Sequence, residues 1–122
     1  MEIFQVEHVY FKDGSHAIFI MKEKSDVSGD LIRHITQNGT NQVSIERGIK
    51  LKETYPDYYM KQIGEVDDFD ANKVLEMAQT DTTASQKDFR EWTNAFIEEL
   101  KAKGWLWEQA PGANLPPGWG SS

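Results

Sequence analysis

Residues 15–38, SHAIFIMKEKSDVSGDLIRHITQN, decide the fold, because they predict two β-strands joined by a polar turn. Residues 15–21 form a nearly continuous apolar and β-branched run, which is typical of a strand that is covered on both faces. Residues 30–36 have moderate strand propensity, and the charged segment 22–29 ends in Ser-Gly, which favours a turn. The stretch therefore predicts a β-hairpin with a central strand, which the rest of the chain covers.

Two of the three histidines of the chain lie in this hairpin. If the turn is centred near Ser25, His16 lies opposite His34 on the neighbouring strand. Same-face neighbours on paired strands have Cβ atoms roughly 4.5–5.5 Å apart, so each ring would disfavour protonation of the other. The pair predicts an acid/base site, because imidazole titrates near neutrality and can pass a proton either way. A register slip of one residue would send one ring to the other face.

Two other interpretations of the histidines stay open. A single histidine in a strand is more often a half-buried structural residue than a catalytic one. His8, in the preceding predicted strand, could complete a three-histidine zinc site, but only proximity supports that arrangement. We therefore expect neither a metal nor a cofactor.

Length and composition indicate one domain and exclude several classes of site. The chain has 122 residues, which suits a single core, and it has no cysteine, which excludes disulfides, thiolate metal ligands and a cysteine nucleophile. Its net charge of −7 disfavours contact with nucleic acid and anionic membranes. No apolar run approaches the roughly 20 residues of a membrane span, and no secretory signal is visible. We expect a cytoplasmic protein with neither a nucleic-acid nor a membrane partner.

Alternating apolar residues predict three further strands. These strands cover residues 2–12, 42–51 and 58–66, and turns are expected at Lys12-Asp13-Gly14 and at Asn38-Gly39-Thr40-Asn41. Residues 43–51 form an exposed strand that could pair two copies of the chain into a homodimer. The sequence thus predicts five mostly antiparallel strands.

The spacing of apolar residues becomes helical after the last predicted strand. Residues 70–80 predict one helix, and Ser85 with Asp88 three positions on resembles a capping box that starts a second. The second helix carries one apolar stripe, formed by Phe89, Trp92, Phe96, Ile97 and Leu100. The expected fold class is α+β: a five-stranded, mostly antiparallel sheet with two C-terminal helices packed on one face. Residues 1–106 would form this domain, followed by a Pro/Gly/Trp-rich tail over residues 107–122.

Three short motifs follow one another along the chain: SHAIFI at residues 15–20, GDLIRHIT at residues 29–36 and FREW at residues 89–92. The last motif opens the second helix, which is expected to end at Gly104. In this order the motifs resemble those of a family of small, largely uncharacterised fungal proteins. That family combines a His-containing strand, a Gly-apolar segment leading to a second His, and a late helix with Cys-x-x-Trp. The resemblance spans residues 3–106.

This layout is similar to that of circularly permuted papain-like (NlpC/P60-type) hydrolases, in which a helix-borne cysteine attacks and a strand histidine activates it. Phe89 stands where the cysteine would be, and a phenylalanine cannot attack an acyl group. The resemblance therefore does not imply thiol catalysis. What it implies is a pocket between the sheet and the second helix, with His16 and His34 at its mouth.

The leading hypothesis is a small-molecule pocket used for non-covalent acid/base chemistry, such as an isomerisation, cyclisation or dehydration in secondary metabolism. His16 and His34 would be the catalytic pair in this pocket. The residues expected to bind the ligand are Phe89, Trp92, Trp105 and Tyr58. The alternative is a catalytically inactive papain-like relative that binds a protein or a metabolite through its aromatic tail.

Overall fold

The structure, a computed structural model, describes residues 2–55, 57–81 and 83–107, apart from the side chain of Ser85. Within these residues, five strands form one antiparallel sheet in the order β4-β3-β2-β1-β5. The strands are β1 Ile3–Phe11, β2 His16–Glu23, β3 Ser28–Gln37, β4 Thr40–Lys50 and β5 Tyr58–Asp67.

Helical segments follow β4 and β5 in the chain. Their bounds are α1 Leu51–Thr54, α2 Asp68–Gln79, a 3-10 helix at Ala84–Gln86, and α3 Phe89–Ala102. The predicted α+β fold, with two C-terminal helices on a five-stranded antiparallel sheet, is confirmed. None of the helices in the described residues combines the length and apolar character that a membrane span needs.

The β2–β3 hairpin has the register that its sequence predicts. Ala17 pairs with Arg33, and Ile18 pairs with Ile32. Ile18 and Ile32 lie in the core beneath α2 and α3, so residues two positions further along each strand lie on the same face. His16 and His34 therefore share the helix-covered face of the sheet.

Both faces of the sheet are covered, which explains the continuous apolar run of β2. Residues Ala17, Ile18, Phe19 and Ile20 are at most 1% exposed. Alternate residues belong to two cores, since Ile18 and Ile20 pack beneath α2 and α3, while Ala17 and Phe19 pack with Leu51 on the opposite face. Leu51 was expected to continue β4, but it begins α1 and is fully buried.

The start of α3 differs from the sequence prediction. Asp88 caps the helix, because its Oδ1 accepts the backbone N–H of Glu91 at 2.8 Å. The expected cap at Ser85 is wrong: Ser85 lies within the 3-10 helix, and Lys87 is extended before α3 begins. The end of α3 is as predicted, with Gly104 at a φ of +75° just beyond the last turn.

The segment after α3 docks on the β5 edge of the sheet. The backbone of Trp107 donates to and accepts from Glu65, with N···O distances of 2.8 and 3.0 Å. Leu106 is buried over Gly64, where a Cβ atom would lie 2.8 Å from Leu106 Cδ1. Trp107 is the first residue of the expected tail, and residues 108–122 lie outside the described residues.

Candidate functional site

A pocket of about 620 Å³ lies between the β1–β2 hairpin and the first turns of α3. Two histidines and a tyrosine line its sheet side, and the start of α3 lines the other. The lining residues are His8, Tyr10, Gly14, His16, Asp88, Phe89, Arg90 and Asn94. Its volume falls within the range of small-molecule sites, and we call it the imidazole pocket.

The β1–β2 hairpin sets the positions of the three ring side chains. Its turn uses Gly14 at a φ of +92°, a conformation that favours glycine. The register pairs Tyr10 with His16 and His8 with Ile18. His8 and His16 are therefore diagonal neighbours on the same face, with ring centroids 5.0 Å apart and planes at 61°.

A chain of polar contacts joins these rings. His8 Nε2 lies 3.0 Å from His16 Nδ1, which is hydrogen-bonding distance. The hydroxyl oxygen of Tyr10 lies 3.3 Å from His8 Nδ1, and the Tyr10 ring stacks on His8 with centroids 4.2 Å apart. Both nitrogens of His8 are thus engaged, and His8 is only 6% exposed. His16 is held through Nδ1 and retains Nε2 as its remaining ring nitrogen.

The hydrogen bonds from Tyr10 through His8 to His16 can be arranged in two ways with both imidazoles neutral. His16 Nε2 is a proton donor in one arrangement and a proton acceptor in the other. If Tyr10 donates to His8 Nδ1, His8 donates from Nε2, and His16 accepts at Nδ1 and carries its proton on Nε2. If His8 donates from Nδ1 to Tyr10, His16 donates from Nδ1 and its Nε2 is a free base. Among the described residues, Nε2 of His16 has no hydrogen-bond partner. His16 can therefore act as a proton donor or a proton acceptor.

Burial and neighbouring cations keep both imidazoles neutral. Burial, with added repulsion from His16 and Lys61, lowers the pKa of His8 to about 4. Burial and the Arg90 guanidinium lower the pKa of His16, against the opposing effect of the Asp88 carboxylate. Both rings are therefore unprotonated at neutral pH, so the pair can accept a proton.

Helix α3 supplies the wall facing the imidazoles. The Phe89 ring lies 5.8 Å from the His16 ring, measured between centroids. Arg90 and Asn94 lie four positions apart, on the same side of α3. Asp88 remains ionised, because the hydrogen bond from the Glu91 backbone N–H lowers its pKa.

His34 lies on the same face as His16 but lines a different cavity. Its Nε2 donates to the backbone carbonyl of Ala84 at 2.7 Å, because a carbonyl can only accept. The ring stacks on Trp92 with centroids 5.8 Å apart, and His34 is 2% exposed. It lines a cavity of about 350 Å³ that shares only Phe89 with the imidazole pocket. The expectation that His16 and His34 look into one cavity is therefore corrected, because tertiary contacts hold His34 beneath α3.

Of the four residues expected to bind the ligand, Phe89 is the one that lines the imidazole pocket. Trp92 is 1% exposed, stacks on Phe96 and donates from Nε1 to Asp81 Oδ2 at 3.1 Å. Trp105 and Tyr58 lie elsewhere. The ammonium groups of two lysines lie over the Trp105 ring, while Tyr58 lines a neighbouring cavity with Tyr10.

No group of three or more potential metal ligands occurs within residues 2–55, 57–81 and 83–107. The zinc site considered from the sequence would need His8, His16 and His34 together. His8 and His16 meet, whereas Nε2 of His34 is committed to the Ala84 carbonyl.

Sequence reasoning missed His8 and Tyr10 as site residues. A signal for both was present, because the predicted three-residue turn Lys12-Asp13-Gly14 places Tyr10 opposite His16 and His8 diagonal to it. Comparison of the chain with protein-family models, curated proteins and solved structures finds no significant match. The relationship to papain-like proteins therefore stays a prediction.

Proposed function

We propose that this protein binds a small organic molecule in the imidazole pocket and catalyses a non-covalent proton transfer. The reaction class would be an isomerisation, cyclisation or dehydration, as in secondary metabolism. The observation that carries this proposal is the 3.0 Å contact between His8 Nε2 and His16 Nδ1, extended to the Tyr10 hydroxyl. Such a contact orients the reactive ring and fixes the tautomer that leaves Nε2 of His16 free to act as a base.

His16 is the catalytic residue in this proposal. Its Nε2 removes a proton from the bound substrate, while the Nδ1 proton stays hydrogen-bonded to His8 Nε2, because burial and Lys61 disfavour a charged His8 ring. Returning the proton to another substrate atom completes an isomerisation, and delivering it to a leaving hydroxyl releases water. His8 is a positioning residue, and its stacking on Tyr10 holds its ring in place.

The chain lacks the group needed for the covalent route of papain-like hydrolases. Cysteine is absent from the sequence, and Phe89 occupies the position on α3 that the resemblance assigns to the nucleophile. The Phe89 side chain provides an apolar surface opposite His16 instead. An apolar wall supports acid/base chemistry, because it lowers the polarity around the imidazoles and keeps them neutral.

A neutral probe with one acidic C–H tests this proposal without the natural substrate. The base-promoted ring opening of 5-nitrobenzisoxazole needs only the removal of that proton. We expect the protein to accelerate it saturably beyond an equal concentration of free imidazole, and His16→Gln to lower kcat/KM about 10- to 100-fold. The control is Lys52→Gln, an exposed residue of α1 on the opposite face of the sheet, which should leave the rate unchanged.

Circular dichroism of each variant verifies that its fold is intact. A wild-type rate no higher than that of free imidazole, or a His16→Gln rate equal to wild type, would overturn the proposal.

Two other roles stay predictions. A catalytically inactive binding module would rely on the aromatic tail, of which residues 108–122 lie outside the described part of the chain. Deleting residues 105–122 would abolish partner binding in that case, while changes to the histidines would have little effect. Pairing of two copies would use β4, which is an edge strand, and light scattering would reveal it.

A further inference from the structure

The imidazole pocket has a cation at its rim that the proton-transfer mechanism does not use. Arg90 is exposed and lines the pocket. Among residues 2–55, 57–81 and 83–107 its guanidinium makes neither a salt bridge nor a side-chain hydrogen bond. Its guanidinium is close enough to His16 to disfavour protonation of that ring. A guanidinium has five N–H donors in a fixed fork, which match the two oxygens of a carboxylate.

The lining of the pocket carries one cation, Arg90, and one anion, Asp88, in a chain whose net charge is −7. Arg90 acts on His16 and Lys61 acts on His8, so a cation reaches each imidazole. The opposing charge is that of Asp88, whose Oδ1 accepts the Glu91 backbone N–H at the N-terminus of α3. The positive end of the helix offsets part of that negative charge.

Other lining residues could contact the remainder of a ligand whose carboxylate binds Arg90. The Asn94 side chain, one helical turn beyond Arg90, offers an amide donor on the same side of α3. Phe89 and Tyr10 offer ring surfaces to an aromatic or unsaturated skeleton.

We infer that the natural substrate carries a carboxylate, which Arg90 binds with help from Asn94 while the reacting atom faces His16. This inference rests on the proposed proton-transfer function, and it adds the substrate class: a small aromatic or unsaturated carboxylic acid. Arg90 would then be the residue that determines specificity.

Two ligands of the same shape and different charge test the inference. Benzoate and benzamide are titrated separately into isotope-labelled protein, and NMR shifts of the His16 ring and the Arg90 side chain report binding. We expect wild type to bind benzoate about 10-fold more tightly than benzamide, because a charge-assisted contact adds to the shared ring contacts. Arg90→Gln should bring the ratio close to one. Arg90→Lys should keep part of it, since lysine retains the charge and loses the fork.

Lys52→Gln is the matched control, because it removes one exposed positive charge from α1, on the opposite face of the sheet, and should keep the wild-type ratio. Equal binding of the two ligands by wild type, or a full preference in Arg90→Gln, would overturn the inference. The neutral 5-nitrobenzisoxazole probe separates the two claims. A wild-type protein that is active on this probe and has no benzoate preference would overturn only the carboxylate inference. An inactive protein with an Arg90-dependent preference would overturn the proton-transfer function and leave a carboxylate-binding pocket.

Discussion

His8 Nε2 lies 3.0 Å from His16 Nδ1, and this contact makes the two residues one unit. Because one proton lies between these two nitrogens, the tautomer of His8 fixes the tautomer of His16. His16 Nε2 donates when His8 Nε2 carries a proton, and it accepts when His8 Nε2 does not. Burial lowers the pKa of both rings, and a cation near each adds to the effect. The pair is therefore set up as a neutral base.

The pH dependence of the probe reaction follows from the lowered pKa of His16. Its kcat/KM should rise with pH, with a midpoint below 6.5, and stay level above it, because His16 acts as a base only when unprotonated. Arg90→Gln removes a cation that disfavours protonation, so it should raise the midpoint. Asp88→Asn removes the opposing carboxylate while keeping a capping side chain, so it should lower the midpoint. A wild-type midpoint at or above 6.5, or shifts in the same direction, would contradict this assignment.

Stability should also depend on the protonation of His8. Its pKa is about 4 in the folded protein against 6.5 as the ordinary value, so between these values the unfolded chain binds a proton that the folded protein does not. The free energy of unfolding is therefore fully maintained above pH 6.5 and falls as the pH drops toward 4. A fully buried group shifted this far would contribute about 3 kcal/mol, and solvent screening reduces our expectation to roughly 1–2 kcal/mol.

His8→Phe removes this titration and keeps a ring beside Tyr10. Urea unfolding at pH 7 and pH 5 should show a smaller loss of stability in the variant than in wild type. His16 contributes a remaining loss of the same sign, because its pKa is lowered too. Identical pH dependence in the two proteins would mean that His8 titrates normally.

His34→Gln separates a structural histidine from a catalytic one. The variant disturbs the hydrogen bond to the Ala84 carbonyl and the stacking on Trp92, so we expect a stability loss of about 1–2 kcal/mol. We expect kcat/KM for the probe within about twofold of wild type, because His34 does not line the imidazole pocket. A large loss of kcat/KM in a folded variant would instead support the hypothesis that His34 acts together with His16 in catalysis.

Glu7→Gln should stabilise the protein at neutral pH. Glu7 is 7% exposed, and its Oε2 has no hydrogen-bond partner among the described residues. Burial raises the pKa of Glu7, with Lys24 opposing, so at pH 7 the fold carries a buried carboxylate that the neutral amide avoids. We expect the free energy of unfolding of the variant to exceed that of wild type by about 1 kcal/mol at pH 7. The difference should disappear near pH 4, where Glu7 is protonated. Thermal unfolding at both pH values measures this, and a destabilised variant at pH 7 would show that Glu7 is paired.

The architecture could be predicted because its signals are local. The polar turn over residues 22–29 sets the β2–β3 register, and the apolar run of β2 indicates cover on both faces. Helix α1 could not be predicted, because Leu51 continues the alternation of β4 and only its burial on the second face shows where it belongs.

The site was only partly accessible from the sequence. His16 and Phe89 line the imidazole pocket, and the predicted turn Lys12-Asp13-Gly14 could have identified His8 by the register reasoning applied to the next hairpin. The position of His34 depends on the carbonyl of Ala84, 50 residues away, and no local pattern encodes that contact.

Histidine-detected ¹H–¹⁵N NMR over a pH titration tests the central claim most directly. We expect a coupling between His8 Nε2 and His16 Nδ1 across their shared proton, a pKa of about 4 for His8 and a lowered pKa for His16. Two uncoupled histidines that both titrate near 6.5 would contradict the account.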